Sequence, residues 1–134
     1  MQIREPVVSG QFYPSSPSKL SAMIQNFTNL SGTKVSAKVV ISPHAGYIYS
    51  GGVAGEVFSK VLIPNDIILL GPNHTGLGRR FSIMKEGEWS IPLGNIKVNT
   101  ELAEIIMKNF DKIENDSLAH MGEHSIEVQL PFLY

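Results

Sequence analysis

Two histidines follow short apolar runs, and their spacing predicts that they meet at one binding site. His44 ends the run Val-Val-Ile-Ser-Pro-His, and His74 ends the run Ile-Ile-Leu-Leu-Gly-Pro-Asn-His. In open α/β sheets, the carboxyl ends of parallel strands form the edge where ligands bind. Two imidazoles delivered to that edge from neighbouring strands could converge on one ion or one substrate. Neutral imidazole is a common ligand of zinc, iron and copper.

A second histidine group has the sequence His-Met-Gly-Glu-His at residues 120–124. This spacing matches the inverted zinc-peptidase pattern, in which the histidines bind zinc and the glutamate acts as the general base. The pattern needs a regular helix, and Gly122 costs a helix about 1 kcal/mol relative to alanine. It also needs a third ligand further along the chain, and few residues follow His124. A zinc peptidase is therefore the weakest of the functional alternatives.

Two other interpretations fit the end of this group better. Glu123, His124 and Ser125 can cap a helix that begins near Ser125. Alternatively, Glu123 and His124 lie beside His44 and His74 and act as acid–base groups or hold the metal ligands in place. We favour the second interpretation and take Glu123 and His124 as candidate catalytic residues.

The neighbours of the first two histidines are candidates for lining a substrate pocket. Asn73 directly precedes His74, and Tyr47 follows His44 by three residues. Tyr47 could equally pack against the sheet. Glycines close behind both histidines allow the backbone to approach a ligand, because glycine has no Cβ.

Composition limits the class of protein. The chain has 134 residues, 43% of them hydrophobic, a net charge of −1 and no cysteine. This length predicts a single domain over residues 1–134. The absence of a basic surplus argues against nucleic acid as a partner, and no apolar run approaches the length of a membrane span. Without cysteine there are no disulfides or thiolate ligands, and no signal peptide is evident, so we expect a cytoplasmic protein.

Hydrophobic periodicity predicts alternating strands and helices. The expected order is a helix from Ser18 to about residue 30, a buried strand over 37–42, a helix opening at Ser50 with Val53, Val57 and Val61 inward, a buried strand over 67–71, antiparallel strands within 81–98, and a helix from Thr100 to Phe110. The strand–helix–strand order predicts a βαβ unit. The fold class is therefore α/β, with a mixed, mainly parallel sheet flanked by helices.

Four motifs in order resemble the Memo (mediator of cell motility) family. They are Arg4-Glu5-Pro6 with Gly10-Gln11-Phe12-Tyr13-Pro14, Pro43-His44-Ala45-Gly46-Tyr47 with Tyr49-Ser50-Gly51, Leu70-Gly71-Pro72-Asn73-His74, and Glu123-His124-Ser125-Ile126-Glu127 with Leu130-Pro131-Phe132. The family is similar in fold to LigB-type class III extradiol dioxygenases, which hold ferrous iron with two histidines and a carboxylate. The resemblance implies that His44 and His74 are metal ligands, with Fe²⁺ or another divalent ion as cofactor.

The resemblance covers about the N-terminal half of the family length. It implies that the third metal ligand is absent from this chain and that the fold is incomplete. Apolar residues at 126–133 would then lack a covering layer, so we expect self-association or a completing chain.

The first functional hypothesis is a metal-dependent, dioxygenase-like oxidoreductase. The alternative is a non-catalytic scaffold that binds a peptide or a small anion in the same pocket.

Overall fold

The computed structural model describes residues 2–28 and 31–134, and the fold is mixed α/β, as predicted. The helices are α1 (Pro17–Thr28), α2 (Tyr47–Ser59), α3 (Thr100–Asn109), α4 (Leu118–Met121), a 3₁₀ turn (Glu127–Gln129) and α5 (Leu130–Leu133). The strands are β1 (Ile3–Arg4), β2 (Ser82–Ile83), β3 (Glu88–Ile91), β4 (Gly94–Lys97) and β5 (Glu114–Asn115). Within the described ranges, no helix is long and apolar enough to cross a membrane.

The strands form two small sheets. In the first, β1 pairs in parallel with β3, with Arg4 opposite Trp89, and β3 pairs antiparallel with β4, with Trp89 opposite Ile96. In the second, β2 pairs in parallel with β5. An antiparallel pair within residues 81–98 is found, as predicted, but it is formed by β3 and β4. The residues at the start of that range, in β2, pair in parallel with β5 instead.

The first helix is confirmed over the described residues, and its predicted end near residue 30 lies outside them. The second helix begins earlier than predicted, at Tyr47, and only part of its predicted inward face is buried, because Val53 is exposed whereas Val61 is buried. The buried face instead includes Gly51 and Gly55, which lie directly against Phe27 of α1. Because glycine has no side chain, this face lets the two helices approach closely, and that contact decides which side of α2 is buried.

The predicted buried strands at 37–42 and 67–71 are wrong for the described residues, and so is the βαβ unit. Neither segment forms a strand, and an isolated parallel bridge between Val35 and Val61 is the nearest sheet-like contact among the described residues. A strand is stabilised by hydrogen bonds to neighbouring strands. These segments have apolar, β-branched sequences typical of a buried strand, but within residues 2–28 and 31–134 no backbone–backbone hydrogen bond pairs them with a strand.

The apolar residues near the end of the sequence are covered, contrary to the expectation above. Val128 and Leu130 are buried, and Ile126, Phe132 and Leu133 are half-buried. Val128 packs with Tyr13, Leu20 and Tyr47 in one core cluster, while Leu130 packs with Met84, Trp89 and Ile91 in the other. Packing of this segment against both clusters therefore covers its apolar residues.

Helix α3 begins at Thr100 and ends at Asn109, close to the predicted range, but Thr100, the cap that the sequence predicts, does not cap it. The side chain of Asn99 accepts a hydrogen bond from the backbone N–H of Leu102 at 3.0 Å, so Asn99, not Thr100, is the N-cap. Asparagine is among the best N-cap residues, because its oxygen satisfies an otherwise unpaired N–H of the first turn.

Candidate metal centre

Three histidine rings lie side by side at one place in the fold. The ring centres of His44 and His74, which the sequence predicted to converge, are 5.2 Å apart. His124 joins them, with its ring centre 4.7 Å from that of His74 and 6.0 Å from that of His44. The ring of Phe12 contacts His124 edge-on at 4.8 Å and closes one side of the group. We call His44, His74, His124 and the adjacent Glu123 the histidine cluster.

Glu123 is the buried carboxylate of this cluster. Its Oε1 lies 2.8 Å from Nδ1 of His74 and accepts backbone hydrogen bonds from His124 at 2.8 Å and from Ser125 at 2.9 Å. Its Oε2 accepts a hydrogen bond from the backbone N–H of His74. Both oxygens are therefore occupied by partners that fix the carboxylate and the His74 ring relative to each other.

These contacts determine the charge of the carboxylate. Burial by itself would raise the pKa of Glu123, but the hydrogen bonds from the His74 ring and from the backbone N–H groups of Ser125, His74 and His124 lower it to about 2. Hydrogen bonds donated to a carboxylate favour its ionised form. Glu123 is therefore a fixed negative charge at neutral pH.

Burial is the main influence on the pKa of His124. Burial lowers the pKa of His124, while the negative charge of Glu123 opposes that effect. The neighbouring imidazoles of His74 and His44 lower it further when they are charged. A neutral imidazole keeps one ring nitrogen available as an acceptor or a ligand.

The chain segment that carries Glu123 and His124 is held by Arg4 of β1. The Arg4 guanidinium donates to the backbone carbonyl of His120 at 3.1 Å and to that of Glu123 at 2.5 Å. It also forms an ion pair with Glu127, and both side chains are almost completely buried. The N-terminal strand thus fixes the backbone on either side of the cluster.

Glu127 in turn holds the N-terminal arm. Its carboxylate accepts hydrogen bonds from the backbone N–H groups of Val7 and Val8 at 3.0 and 3.1 Å, and from the Tyr13 hydroxyl at 2.6 Å. Burial, together with this hydrogen bond to Glu127, raises the pKa of Tyr13 well above its ordinary value, so the phenol stays a donor. Glu127 therefore ties the N-terminal arm to the segment that follows the histidine cluster.

The two predicted pocket residues have structural contacts in the fold. Tyr47 is buried in the core, and its hydroxyl donates to the backbone carbonyl of Val128 at 2.7 Å. Asn73 is exposed, and its Oδ1 accepts from the backbone N–H groups of Thr75 and Gly76 at 3.1 Å. Asn73 therefore shapes the turn that presents His74, and a role for either residue toward a substrate stays a prediction.

His120 lies outside the cluster. Helix α4 ends at Met121, so residues 120–124 do not form the regular helix that the inverted peptidase pattern needs. The His120 ring instead packs edge-on against Trp89, with ring centres 5.8 Å apart.

The donor atoms of His74, Glu123 and His124 all lie within 4.8 Å of one another, and such a group could hold a metal ion. The resemblance to the family implied that this chain lacks a third ligand position. The structure places the carboxylate of Glu123 and the ring of His124 beside His74, so a third donor is available within the chain. Arg4 and Glu127 were assigned no role from the sequence, since their pairing joins positions far apart along the chain.

The fold and the site together define a mixed α/β domain with a histidine–carboxylate cluster that could hold a metal ion. The family described as "Memo-like protein" matches residues 4–134, and the chain belongs to the Memo family. It is similar to three proteins named "MEMO1 family protein". It is 43% identical to that of Aquifex aeolicus over 134 residues, 42% to that of Desulfurococcus amylolyticus over 147, and 43% to that of Thermotoga petrophila over 145.

These matches cover nearly all of this chain but only part of each relative. They include 99%, 99% and 97% of this chain, and 50%, 52% and 52% of the respective relatives. The chain therefore spans about half the length of the curated relatives it matches.

Proposed function

We propose that the histidine cluster binds a divalent metal ion, preferably ferrous iron. We further propose that this Memo-family domain takes part in metal-dependent oxidation. The observation that carries the proposal is the convergence of the His44, His74 and His124 rings. The donor atoms of His74 and His124 lie within 4.8 Å of one another and of the buried, ionised carboxylate of Glu123. Imidazole nitrogens suit iron and other divalent first-row metals.

The geometry fits an ion held mainly by imidazole nitrogens. Metal–nitrogen bonds of about 2.1 Å place the ring centres of neighbouring histidine ligands roughly 4.5–5.5 Å apart. The His44–His74 and His74–His124 ring centres, at 5.2 and 4.7 Å, fall in this range. The His44–His124 separation of 6.0 Å requires only a small movement of the His44 ring.

Glu123 serves to orient His74 in this proposal. Because Nδ1 of His74 is bonded to Glu123, its Nε2 is the nitrogen left to face an ion. A carboxylate on the far nitrogen of a metal-bound histidine fixes the tautomer and raises the basicity of the ring. Three backbone N–H groups, those of His74, His124 and Ser125, also donate to the Glu123 carboxylate and keep it ionised.

An ion bound here would supply the redox chemistry, and the side chains would control access and charge. The His74 side chain is 44% exposed and that of His124 is 24% exposed, so a small substrate can reach this side of the cluster. Phe12 packs edge-on against the His124 ring.

The test is the metal content of anaerobically purified protein, measured by mass spectrometry. We expect close to one iron per chain in the wild type and less than a tenth of that in the His44→Ala/His74→Ala double variant. His120→Gln is the matched control, because His120 lies outside the cluster, and its iron content should equal that of the wild type. Circular dichroism confirms that each variant is folded.

Absence of metal from wild type and variants alike, even after addition of ferrous iron, would contradict the proposal. The alternative of a peptide- or anion-binding scaffold would then be preferred. Equal iron in the wild type and the double variant would place the ion elsewhere and would also overturn the assignment.

A further inference from the structure

Two proline carbonyls accept hydrogen bonds from side chains of one short segment. Nε2 of Gln129 donates to the backbone carbonyl of Pro43 at 3.0 Å. Oγ of Ser125 donates to the backbone carbonyl of Pro72 at 2.9 Å. We call residues 125–129, which carry both donors, the anchoring turn. It holds two distant parts of the chain through the same backbone group of the same residue type.

These two prolines come just before two histidines of the cluster. Pro43 is followed directly by His44, and Pro72 lies two residues before His74. The ring centres of the two histidines are 5.2 Å apart. Because proline has a fixed φ angle, a bond to its carbonyl leaves the chain little freedom on the way to the histidine. We call each proline with its histidine a histidine corner.

The helical shape of the anchoring turn explains why one segment reaches both corners. The backbone N–H of Val128 donates to the carbonyl of His124 at 3.1 Å, and that of Gln129 donates to the carbonyl of Ile126 at 3.0 Å. Residues four apart on a helical turn are neighbours on one face. Ser125 and Gln129 are four apart, so their spacing sets the distance between the two corners that they hold.

Both donors are buried polar side chains. Ser125 is 3% exposed and Gln129 is 8% exposed. Burying a hydroxyl or an amide is unfavourable unless it is hydrogen-bonded, and an apolar side chain would fill either place without that requirement. Oε1 of Gln129 is buried without a partner among the described residues, so the amide is present in spite of a further cost. The bonds to the corners therefore indicate a role beyond filling the core.

The second corner lies too close to the anchoring turn for a side chain at Gly71. A Cβ at this position would overlap Oγ of Ser125 and would lie 3.0 Å from Cγ1 of Ile126. Glycine has no Cβ, so the backbone just before Pro72 can come within reach of the Ser125 hydroxyl. The close approach and the hydrogen bond thus depend on each other.

The two corners are anchored unequally. The ring and the backbone N–H of His74 are also bonded to Glu123. Among the residues that the structure describes, no hydrogen bond involves His44 itself, and its corner is tied to the anchoring turn by Gln129. Replacing Gln129 should therefore release its corner more fully than replacing Ser125 releases the other.

We propose that Ser125 and Gln129 are positioning residues that set the separation of the His44 and His74 rings before any ion binds. Two ligands held in advance at the spacing that an ion needs lose less conformational freedom when it binds. The effect on metal affinity rests on the proposed function, whereas the separation of the rings is a property of the metal-free fold.

The first measurement uses NMR on the isotopically labelled, metal-free chain after dialysis against a chelator. Nuclear Overhauser cross-peaks between the ring protons of His44 and His74 report their separation, and those between His74 and His124 serve as the internal reference. We expect Gln129→Met, which keeps the length of the side chain but removes the donor, to weaken the His44–His74 cross-peaks at least threefold relative to the reference. Ser125→Ala should weaken them less.

Tyr13→Phe is the matched control. It removes a buried hydrogen bond of 2.6 Å to Glu127 of the same turn, and that bond involves neither proline. Its urea midpoint should fall while its relative cross-peaks stay as in the wild type. In competition between the protein and a metal-binding dye for ferrous iron, Gln129→Met should bind about tenfold more weakly than the wild type and Tyr13→Phe should bind equally well.

Unchanged cross-peaks in both Gln129→Met and Ser125→Ala, or equal weakening in the control variant, would overturn the proposal. If circular dichroism shows that Gln129→Met does not fold, Ser125→Ala and Gly71→Ala provide the test. Each disrupts the bond to Pro72, so unchanged cross-peaks in that pair would overturn the proposal as well. Absence of iron binding by the wild type would contradict the proposed function alone, because the ring separation is measured without metal.

Discussion

Arg4 and Glu127 form an ion pair across 123 positions of sequence, with relative side-chain exposures of 2% and 0%. This pair joins the N-terminal strand to the segment that presents Glu123 and His124. Because Arg4 also donates to the backbone carbonyls of His120 and Glu123, the position of the histidine cluster depends on a residue that touches none of its rings.

Glu127→Leu should be among the most destabilising substitutions in the chain. It leaves the buried guanidinium of Arg4 without its counter-ion and removes the acceptor of Tyr13, Val7 and Val8. Removing one partner of a buried ion pair costs about 3–5 kcal/mol of unfolding free energy. Urea unfolding followed by circular dichroism measures the loss.

The exposed pair of Glu56 and Lys60 on and beside α2 provides the control for that experiment. Glu56→Gln should leave the urea midpoint almost unchanged, because exposed ion pairs contribute little. Equal effects of the two glutamate substitutions would show that the Arg4–Glu127 pair does not support the fold.

Glu123→Gln should weaken metal binding without abolishing it. The substitution removes the charge that orients and polarises the His74 ring, and loss of such an outer partner lowers metal affinity by about 10- to 100-fold. Competition with a metal-binding dye measures the affinity, with His74→Ala as the comparison expected to remove binding. Complete loss in Glu123→Gln would instead make the carboxylate a direct ligand.

Alanine substitutions at two glycines of α2 should change the stability of the domain in opposite directions. A Cβ at Gly55 would lie 2.5 Å from the backbone oxygen of Phe27, which cannot move aside without shifting α1. We expect Gly55→Ala to cost about 1–3 kcal/mol of stability. Gly52 is exposed with nothing near its Cβ position, so Gly52→Ala should stabilise the helix by up to about 1 kcal/mol. Thermal unfolding of both variants tests the pair, and stabilisation by Gly55→Ala would contradict the close helix contact.

His120 should make the domain less stable in mild acid. Burial lowers the pKa of His120, and the Arg4 guanidinium lowers it further. Below the ordinary histidine pKa of about 6.5, the unfolded chain binds a proton that the folded chain resists, so the free energy of unfolding falls as the pH falls. His120→Gln removes this contribution. The difference in unfolding free energy between about pH 7.5 and about pH 5.5 should therefore be smaller in the variant than in the wild type. An equal or larger difference would mean that His120 is not held neutral by the fold.

Local sequence patterns were sufficient for several elements. The spacing of Leu20, Met23, Ile24 and Phe27 predicts helix α1, because a helix buries residues three and four apart on one face. The apolar runs ending at prolines likewise identify His44 and His74 as neighbours. The family motifs, all read from the sequence, agree with the family match over residues 4–134.

Tertiary contacts decided the rest, because they join residues whose separation leaves no periodic signal. Glu123 reaches the His74 ring across 49 positions, and only the folded chain shows that both carboxylate oxygens are satisfied there. The burial of Gly51 and Gly55 against Phe27 depends on how α1 and α2 cross. Residues 37–42 and 66–71 have strand-like sequences, yet a strand forms only where another strand supplies its hydrogen bonds, and the sequence of a segment does not contain its partner.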